Sequence, residues 1–307
     1  MGDSNLLIQS PLNYTGGKYK LLPQILPHFP KQIGTFVDLF CGGCNVGINI
    51  QAGRVIFNDD SPHLLHLYKT FKVLGKDKVL KIINEIIDKY GLSRSNENGY
   101  AYYDCESSSG LVNYNRERFL RLRSDFNDEI EDYNYHIIML FVLIVYAFNN
   151  QIRFNSKGEF NLPVGKRDFN DKMKDKLCTF IDKLNEGNHR FVCEDFRKFD
   201  VEGLTENSLV YCDPPYLITC ATYNEKDGWN EQCERDLYAM LDSLNRRQIR
   251  FALSNVLSSK GKVNTILAQW LERSNYRVIH LDYSYSNSNY QTKNKTGFAD
   301  EVLVLNY

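Results

Sequence analysis

Residues 209–216, Leu-Val-Tyr-Cys-Asp-Pro-Pro-Tyr, set a carboxylate, two prolines and a phenol directly behind a short apolar run. Leu209, Val210 and Tyr211 read as a buried strand. Pro214 and Pro215 end it, because proline has no N–H for a ladder and fixes its own φ. The carboxylate of Asp213, the carbonyl of Pro214 and the ring of Tyr216 are thereby confined to one small region, stiffer than an ordinary Asp-Pro turn. Three further aspartates close strand-like runs: Asp38 in TFVDLF, Asp59 in RVIFND and Asp195 in HRFVCEDF. If these strands are parallel, all four acids converge on one edge of the sheet, where ligands of open α/β folds bind. The glycine turn CGGCNVG follows the first strand and lets backbone approach a ligand closely. Asp59, ending the next strand, stands where an acid accepts hydrogen bonds from ribose hydroxyls. The pair describes a nucleoside-containing cofactor, and the absence of G-x-G-x-x-G argues against a dinucleotide.

These residues need a scaffold, and the pattern around them supplies one. Residues 35–40 and 54–59 read as strands, 45–52 as a helix, and 61–74 as a helix with proline in its first turn. Strand, glycine turn, helix and strand begin a doubly wound parallel sheet. Residues 76–135 carry helical patterns and a polar, tyrosine-rich stretch. Within them 115–126, NRERFLRLRSDF, contains Arg116, Arg118, Arg121 and Arg123, with Arg116 and Arg123 on one helical face. Residues 147–165 read as a loop or hairpin with Ser-Lys-Gly at its tip. A further helix follows, and strands resume at 189–196, 208–213, 249–255, 276–283 and 300–307. The fold class expected is α/β, with its sheet interrupted by a mainly helical insertion.

Composition bounds the function. The chain has 307 residues, 43% of them hydrophobic, enough for one large core or a core domain with an insertion. A net charge of −1 means that a polyanion must meet a local basic patch. Eight cysteines with no signal-peptide pattern before them point to free thiols in a reducing cytoplasm. Cys41 and Cys44 form C-x-x-C, but no second such pair completes a tetrahedral zinc site, so no metal is expected. The apolar run 137–148 is 12 residues long, too short to span a bilayer, and reads as a buried helix or strand.

The segments NYTGGKYKLLPQI, FVDLFCGGCNVGIN, FNDDSPHLLHLY, GEFNLPVG, VYCDPPY and DEVLVLNY occur in the order of the DNA adenine-N6 methyltransferase family. More narrowly, the chain resembles its D12 class, the alpha-group enzymes of the Dam type, in which cofactor motifs precede a recognition domain and D-P-P-Y follows it. The resemblance covers nearly the whole chain. It implies a Rossmann-like methyltransferase sheet formed by 1–64 and 166–307, with a mainly helical target-recognition domain at 65–165. It implies S-adenosylmethionine as donor, N6 of an adenine in duplex DNA as acceptor, and a restriction–modification setting with an independently acting endonuclease. Tyr14 and Lys18 match the family's N-terminal cofactor motif, Phe40 and Gly42 its glycine turn, and Asp59 its ribose-binding acid. Asp38 joins them at the strand edge, and Asp195 with Phe196 fits the place that edges the cofactor adenine. Asp213, Pro214, Pro215 and Tyr216 match the catalytic motif. The departure is Cys44, where the family commonly has a second glycine; a φ above zero there would penalise cysteine.

The motif then has a mechanism. An adenine amino group is a poor nucleophile because its lone pair is delocalised into the ring. Asp213 and the Pro214 carbonyl accepting both its hydrogens would turn that lone pair toward the methyl, with Tyr216 offering a stacking face. Positioning does most of the work, and the base must leave the duplex to be reached. Arg116, Arg118, Arg121 and Arg123 are candidates for phosphate contacts, against a solvated helix face beside Glu117 and Asp125. Arg153 sits where the family's hairpin carries base-contacting residues and suits guanine, while Asn150 and Gln151 suit adenine. Lys293 and Lys295 are candidates for clamping backbone phosphates. Amino-methylation of cytosine N4 or of RNA, and a non-catalytic DNA-binding module that kept the fold, are the competing readings.

Overall fold

The computed structural model describes residues 7–14, 16–105, 108–128, 131–219, 228–282 and 299–307. Along the chain the elements are α1 (Leu22–Ile25), β1 (Thr35–Asp38), β2 (Arg54–Asn58), α2 (Pro62–Tyr90), α3 (Ser95–Asn98) and α4 (Val112–Asn127). There follow α5 (Tyr133–Tyr146), α6 (Asp171–Glu186), β3 (His189–Val192), β4 (Ser208–Cys212) and α7 (Glu231–Arg246). The last are β5 (Arg250–Ser259), β6 (Lys262–Val263), α8 (Thr265–Glu272), β7 (Arg277–Leu281) and β8 (Ala299–Leu305). The chain divides into two compact units. One comprises Met1–Gly17, Gly42–Asn49 and Ser61–Gly187; the other comprises Lys18–Cys41, Ile50–Asp60 and Asn188–Tyr307.

The second unit holds the sheet, in the order β3-β2-β1-β4-β5-β8-β7, with β6 paired to β5. β1 to β5 are parallel, and β8 lies antiparallel between β5 and β7. The direction of winding reverses between β1 and β4, whose registers align Asp38 with Tyr211. The crevice beyond the carboxyl ends of those two strands is where such sheets bind ligands. All five residues of β4 are buried, as a strand covered on both faces requires. Strand periodicity sorts the side chains. Val37, Val210, Cys212, Phe251, Leu253, Val302 and Val304 form one core with Leu237, Leu241 and Leu244 of α7 and Leu267 of α8. Phe36, Asp38, Leu209, Tyr211, Leu303 and Leu305 alternate with these and are buried too. On that second side the Tyr211 hydroxyl lies 2.8 Å from Ser254 Oγ.

The first unit is helical. Proline at the first turn starts α2, and Gly91 in the left-handed region ends it, donating to the carbonyls of Ile87 and Asp88. Gly75, at φ 70° and ψ 167°, kinks the helix within its 29 residues. The run 137–148 is helix as far as Tyr146 (α5), buried throughout from Ile137 and started by the Asp132 side chain. No helix among the described residues is long and apolar enough to cross a membrane. One expected element is absent. Residues 45–52 make only a 3-10 turn at Gly47–Asn49, since positive φ at Gly42 and Cys44 leaves too short a stretch for an α-helix. The hairpin is present, bridged at Phe154–Phe160 and turning at Gly158, φ 80°. Phe154 stacks on His63 of α2, ring centroids 3.8 Å apart.

Candidate active site

The sheet unit carries the Asp-Pro-Pro-Tyr turn immediately beyond β4. Asp213 continues the side of the strand shown by Leu209 and Tyr211, because successive side chains alternate. Lys18, just before α1, is buried at 3% exposure and places Nζ 2.9 Å from Asp213 Oδ1 and 3.4 Å from Glu301 Oε1. Glu301, on β8, retains 1% exposure, and the Asp213 side chain 18%. The Tyr216 hydroxyl sits 3.0 Å from Asp213 Oδ1 and 2.9 Å from Glu301 Oε1, so its single proton serves one carboxylate at a time. Lys18 Nζ also stands 4.8 Å from the Tyr216 ring centroid. One ammonium is thus divided between two carboxylates, and the cluster carries net negative charge. Burial raises the Asp213 carboxyl above its ordinary value; Lys18 opposes this and Glu301 adds to it. Burial alone would lower Lys18, but the two carboxylates outweigh it and hold the ammonium above its ordinary value.

Two sequence candidates meet Asp213 here. Lys18, expected at the cofactor, has its charged end on Asp213. Tyr216, expected to offer a stacking face, is buried, with its hydroxyl on Asp213 and Glu301. Glu301 was missed. Its signal was an acid opening an otherwise apolar strand, DEVLVL, where a buried position demands a partner.

Along the same edge, Asp38 and Asp59 are buried at the ends of β1 and β2. Asp195 lies three residues past β3 and is held by the Arg197 backbone N–H at 2.8 Å and its Nη1 at 3.0 Å. Phe40, Phe196 and Trp229 form an aromatic group with centroids 5.4 to 5.6 Å apart. Among the described residues, Trp229 Nε1 and Asn58 Oδ1 are buried without hydrogen-bond partners. Apolar ring faces, a strand-end acid and unmet polar atoms fit the chemistry of a nucleoside.

The helical unit carries the glycine turn. Gly42 has φ 44°, and a Cβ there would meet Tyr14 Cε1 at 2.7 Å. Tyr68 donates to the Gly42 carbonyl at 2.7 Å, and Asn45 Oδ1 accepts from the Ser10 N–H at 3.0 Å. Cys44 adopts φ 59° while fully buried, so the backbone keeps the conformation a glycine would prefer. Cys41 and Cys44 are both buried.

The nucleic-acid candidates separate by environment. Arg116 is exposed on α4, as is Arg121. Arg123 donates to the Leu162 carbonyl at 3.0 Å, and Arg118 to the Tyr114 carbonyl at 2.6 Å while stacking on that ring. Arg153 is exposed on the hairpin, its guanidinium oriented by Asn161 Oδ1 at 2.7 Å. Gln151 is exposed. Asn150 is not presented as expected: it is buried, and its amide nitrogen donates to the Ile144 and Val145 carbonyls at the end of α5. Lys293 and Lys295 lie outside the described residues.

A doubly wound, mostly parallel sheet with an Asp-Pro-Pro-Tyr turn at its switch point and acids along the same edge has the arrangement of a methyltransferase fold. The chain belongs to the D12 class N6 adenine-specific DNA methyltransferases, whose pattern matches residues 14–287. It is 42% identical over 310 residues to the type II methyltransferase M.FokI of Planomicrobium okeanokoites, covering 99% of this chain and 44% of that protein. To the modification methylase StsI of Streptococcus sanguinis it is 42% identical over 306 residues, covering 98% and 43%. The chain therefore spans less than half the length of these two relatives. Against the DNA adenine methylase of Escherichia coli (strain K12) the identity is 27% over 299 residues, covering 96% of this chain and 94% of that protein.

Proposed function

We propose that this chain transfers a methyl group from S-adenosylmethionine to N6 of an adenine in duplex DNA, as the modification activity of a restriction–modification system. The observation that supports this most is the Asp213 carboxylate, fixed at the switch point by Lys18 and Tyr216 within an Asp-Pro-Pro-Tyr turn. When bound, S-adenosylmethionine supplies an electrophilic methyl on a positively charged sulfur. Asp59, Phe40 and Phe196, with Asp38 and Asp195 along the same edge of the sheet, are the residues proposed to hold it. Asp213 and the Pro214 carbonyl accept the two N6 hydrogens, which localises the nitrogen lone pair, and Asp213 is placed to take the proton that N6 sheds. Lys18 and Tyr216 act through Asp213, fixing its orientation so that little reorganisation is needed. The adenine leaves its stack to be reached, at a cost of a few kcal/mol.

In this reading 1–64 and 166–307 are catalytic and 65–165 recognise the target, within the cytoplasm where the DNA lies. Arg116 supplies phosphate contact and Arg153 with Gln151 base contact. A cognate endonuclease, acting independently, completes the system. The test is incubation with unmethylated duplex DNA and methyl-labelled S-adenosylmethionine, followed by nucleoside analysis. Label in N6-methyladenine supports the proposal; label on cytosine, or none, refutes it.

A further inference from the structure

The buried carboxylate of Glu301 lies outside the Asp-Pro-Pro-Tyr turn and 88 residues further along the chain than Asp213, yet it shares two of that residue's partners. Its strand reaches the same side of the sheet: Glu301, Leu303 and Leu305 alternate with Val302 and Val304, which face α7 and α8. A carboxylate with 1% exposure is costly unless paired, and here the pairing is with the lysine and hydroxyl that also bind Asp213. A lysine serving Asp213 alone would neutralise it and weaken it as an acceptor. Divided between two acids, the same lysine fixes Asp213 without cancelling its charge.

We propose that Glu301 is a positioning residue for Asp213, drawing Lys18 and the Tyr216 hydroxyl partly to itself so that Asp213 is held in orientation while its carboxylate stays a strong hydrogen-bond acceptor. For catalysis this rests on the transfer reaction proposed above, while its effect on Asp213 does not. Among the described residues, the charged and titratable groups around Asp213 are Lys18 before α1, Glu301 on β8 and Tyr216 in the turn. Tyr211 and Cys212 on β4 feel its charge, and both also feel Asp38 on β1. Of these, Glu301 pushes the Asp213 carboxyl up, whereas the Lys18 and Tyr216 hydrogen bonds pull it down.

The test pairs two isosteric changes. Glu301→Gln removes a negative charge but keeps an oxygen for Tyr216; Tyr216→Phe removes a donor to Asp213. The carboxyl of Asp213, followed by carbon-13 NMR with Asp213→Asn to assign it, should titrate at lower pH in Glu301→Gln and at higher pH in Tyr216→Phe. A residue that only stabilises the fold would not move the two in opposite directions. Methyl transfer to unmethylated duplex DNA, measured from pH 5 to 9, should show the acid limb of kcat/KM moving the same way. Glu301→Ala, which leaves Tyr216 without that acceptor, should lower kcat about a hundredfold with little change in KM. An Asp213 titration unmoved by Glu301→Gln overturns the inference, whatever the activity. A wild type that transfers no label refutes the reaction, and the titration still decides the role of Glu301.

Discussion

Replacing Lys18 with methionine should destabilise the protein by about 3 kcal/mol at pH 8 and by far less near pH 4.5. Two unit charges 2.9 Å apart attract by about 5–6 kcal/mol at an effective dielectric constant of 20. Desolvation of the ions offsets part of this. Removing one partner of a buried pair typically costs about 3–5 kcal/mol, chiefly because the other charge is stranded. Asp213 retains 18% exposure, so water partly screens it and the lower end applies. Methionine preserves the buried stem, which isolates the charge. The pH dependence follows from the directions of the shifts. Lys18 is raised, so its stabilisation is complete below the ordinary lysine range and is lost as pH rises through its elevated value. Asp213 is raised as well, so the folded state favours its protonated form and loses stability as pH climbs past the ordinary carboxylate range. As pH falls through the raised Asp213 value, that carboxyl takes up a proton and no longer needs the lysine, so the variant and wild type converge. Urea denaturation at the two pH values measures the difference, and Lys18→Met combined with Glu301→Gln should recover part of the loss at pH 8. Equal destabilisation at both pH values, or less than about 1 kcal/mol at pH 8, would refute the shared-lysine account.

Asp213→Ala should abolish methyl transfer while DNA binding in a mobility-shift assay stays close to wild type; parallel loss of both would contradict an acceptor role. Gly42→Ala places a Cβ 2.7 Å from the Tyr14 ring at a φ of 44°, costing about 1–2 kcal/mol in backbone strain, and should weaken S-adenosylmethionine binding by calorimetry. Gly165→Ala sets a Cβ against the Ala147 carbonyl oxygen, which the backbone cannot relieve cheaply, so the thermal midpoint should fall. Arg116→Ala should reduce the salt dependence of DNA binding by about one phosphate contact. Arg123→Ala should instead cost about 1 kcal/mol of stability, since its guanidinium bonds the Leu162 carbonyl, and a changed salt slope there would show that this bond yields to DNA.

Local chemistry is what the sequence alone determined. Two prolines behind an apolar strand can only end it, so the Asp213 turn was readable; so were the parallel strands ending in Asp38 and Asp59, from runs too apolar for a one-sided sheet. The same holds for the first part of α2, started by proline, and for the buried run of α5. Pairing between distant segments was not readable, because nothing local in a lysine at 18 or a glutamate at 301 states which acid or hydroxyl it will meet. The tertiary structure decided that Lys18 and Tyr216 serve Asp213, that Glu301 joins them, and that Asn150 ends a helix. It decided too that the turn after β1 keeps a left-handed cysteine in place of the expected helix. Each of these follows from burial: a polar group removed from water must find a partner, and only the folded chain fixes which one is within reach.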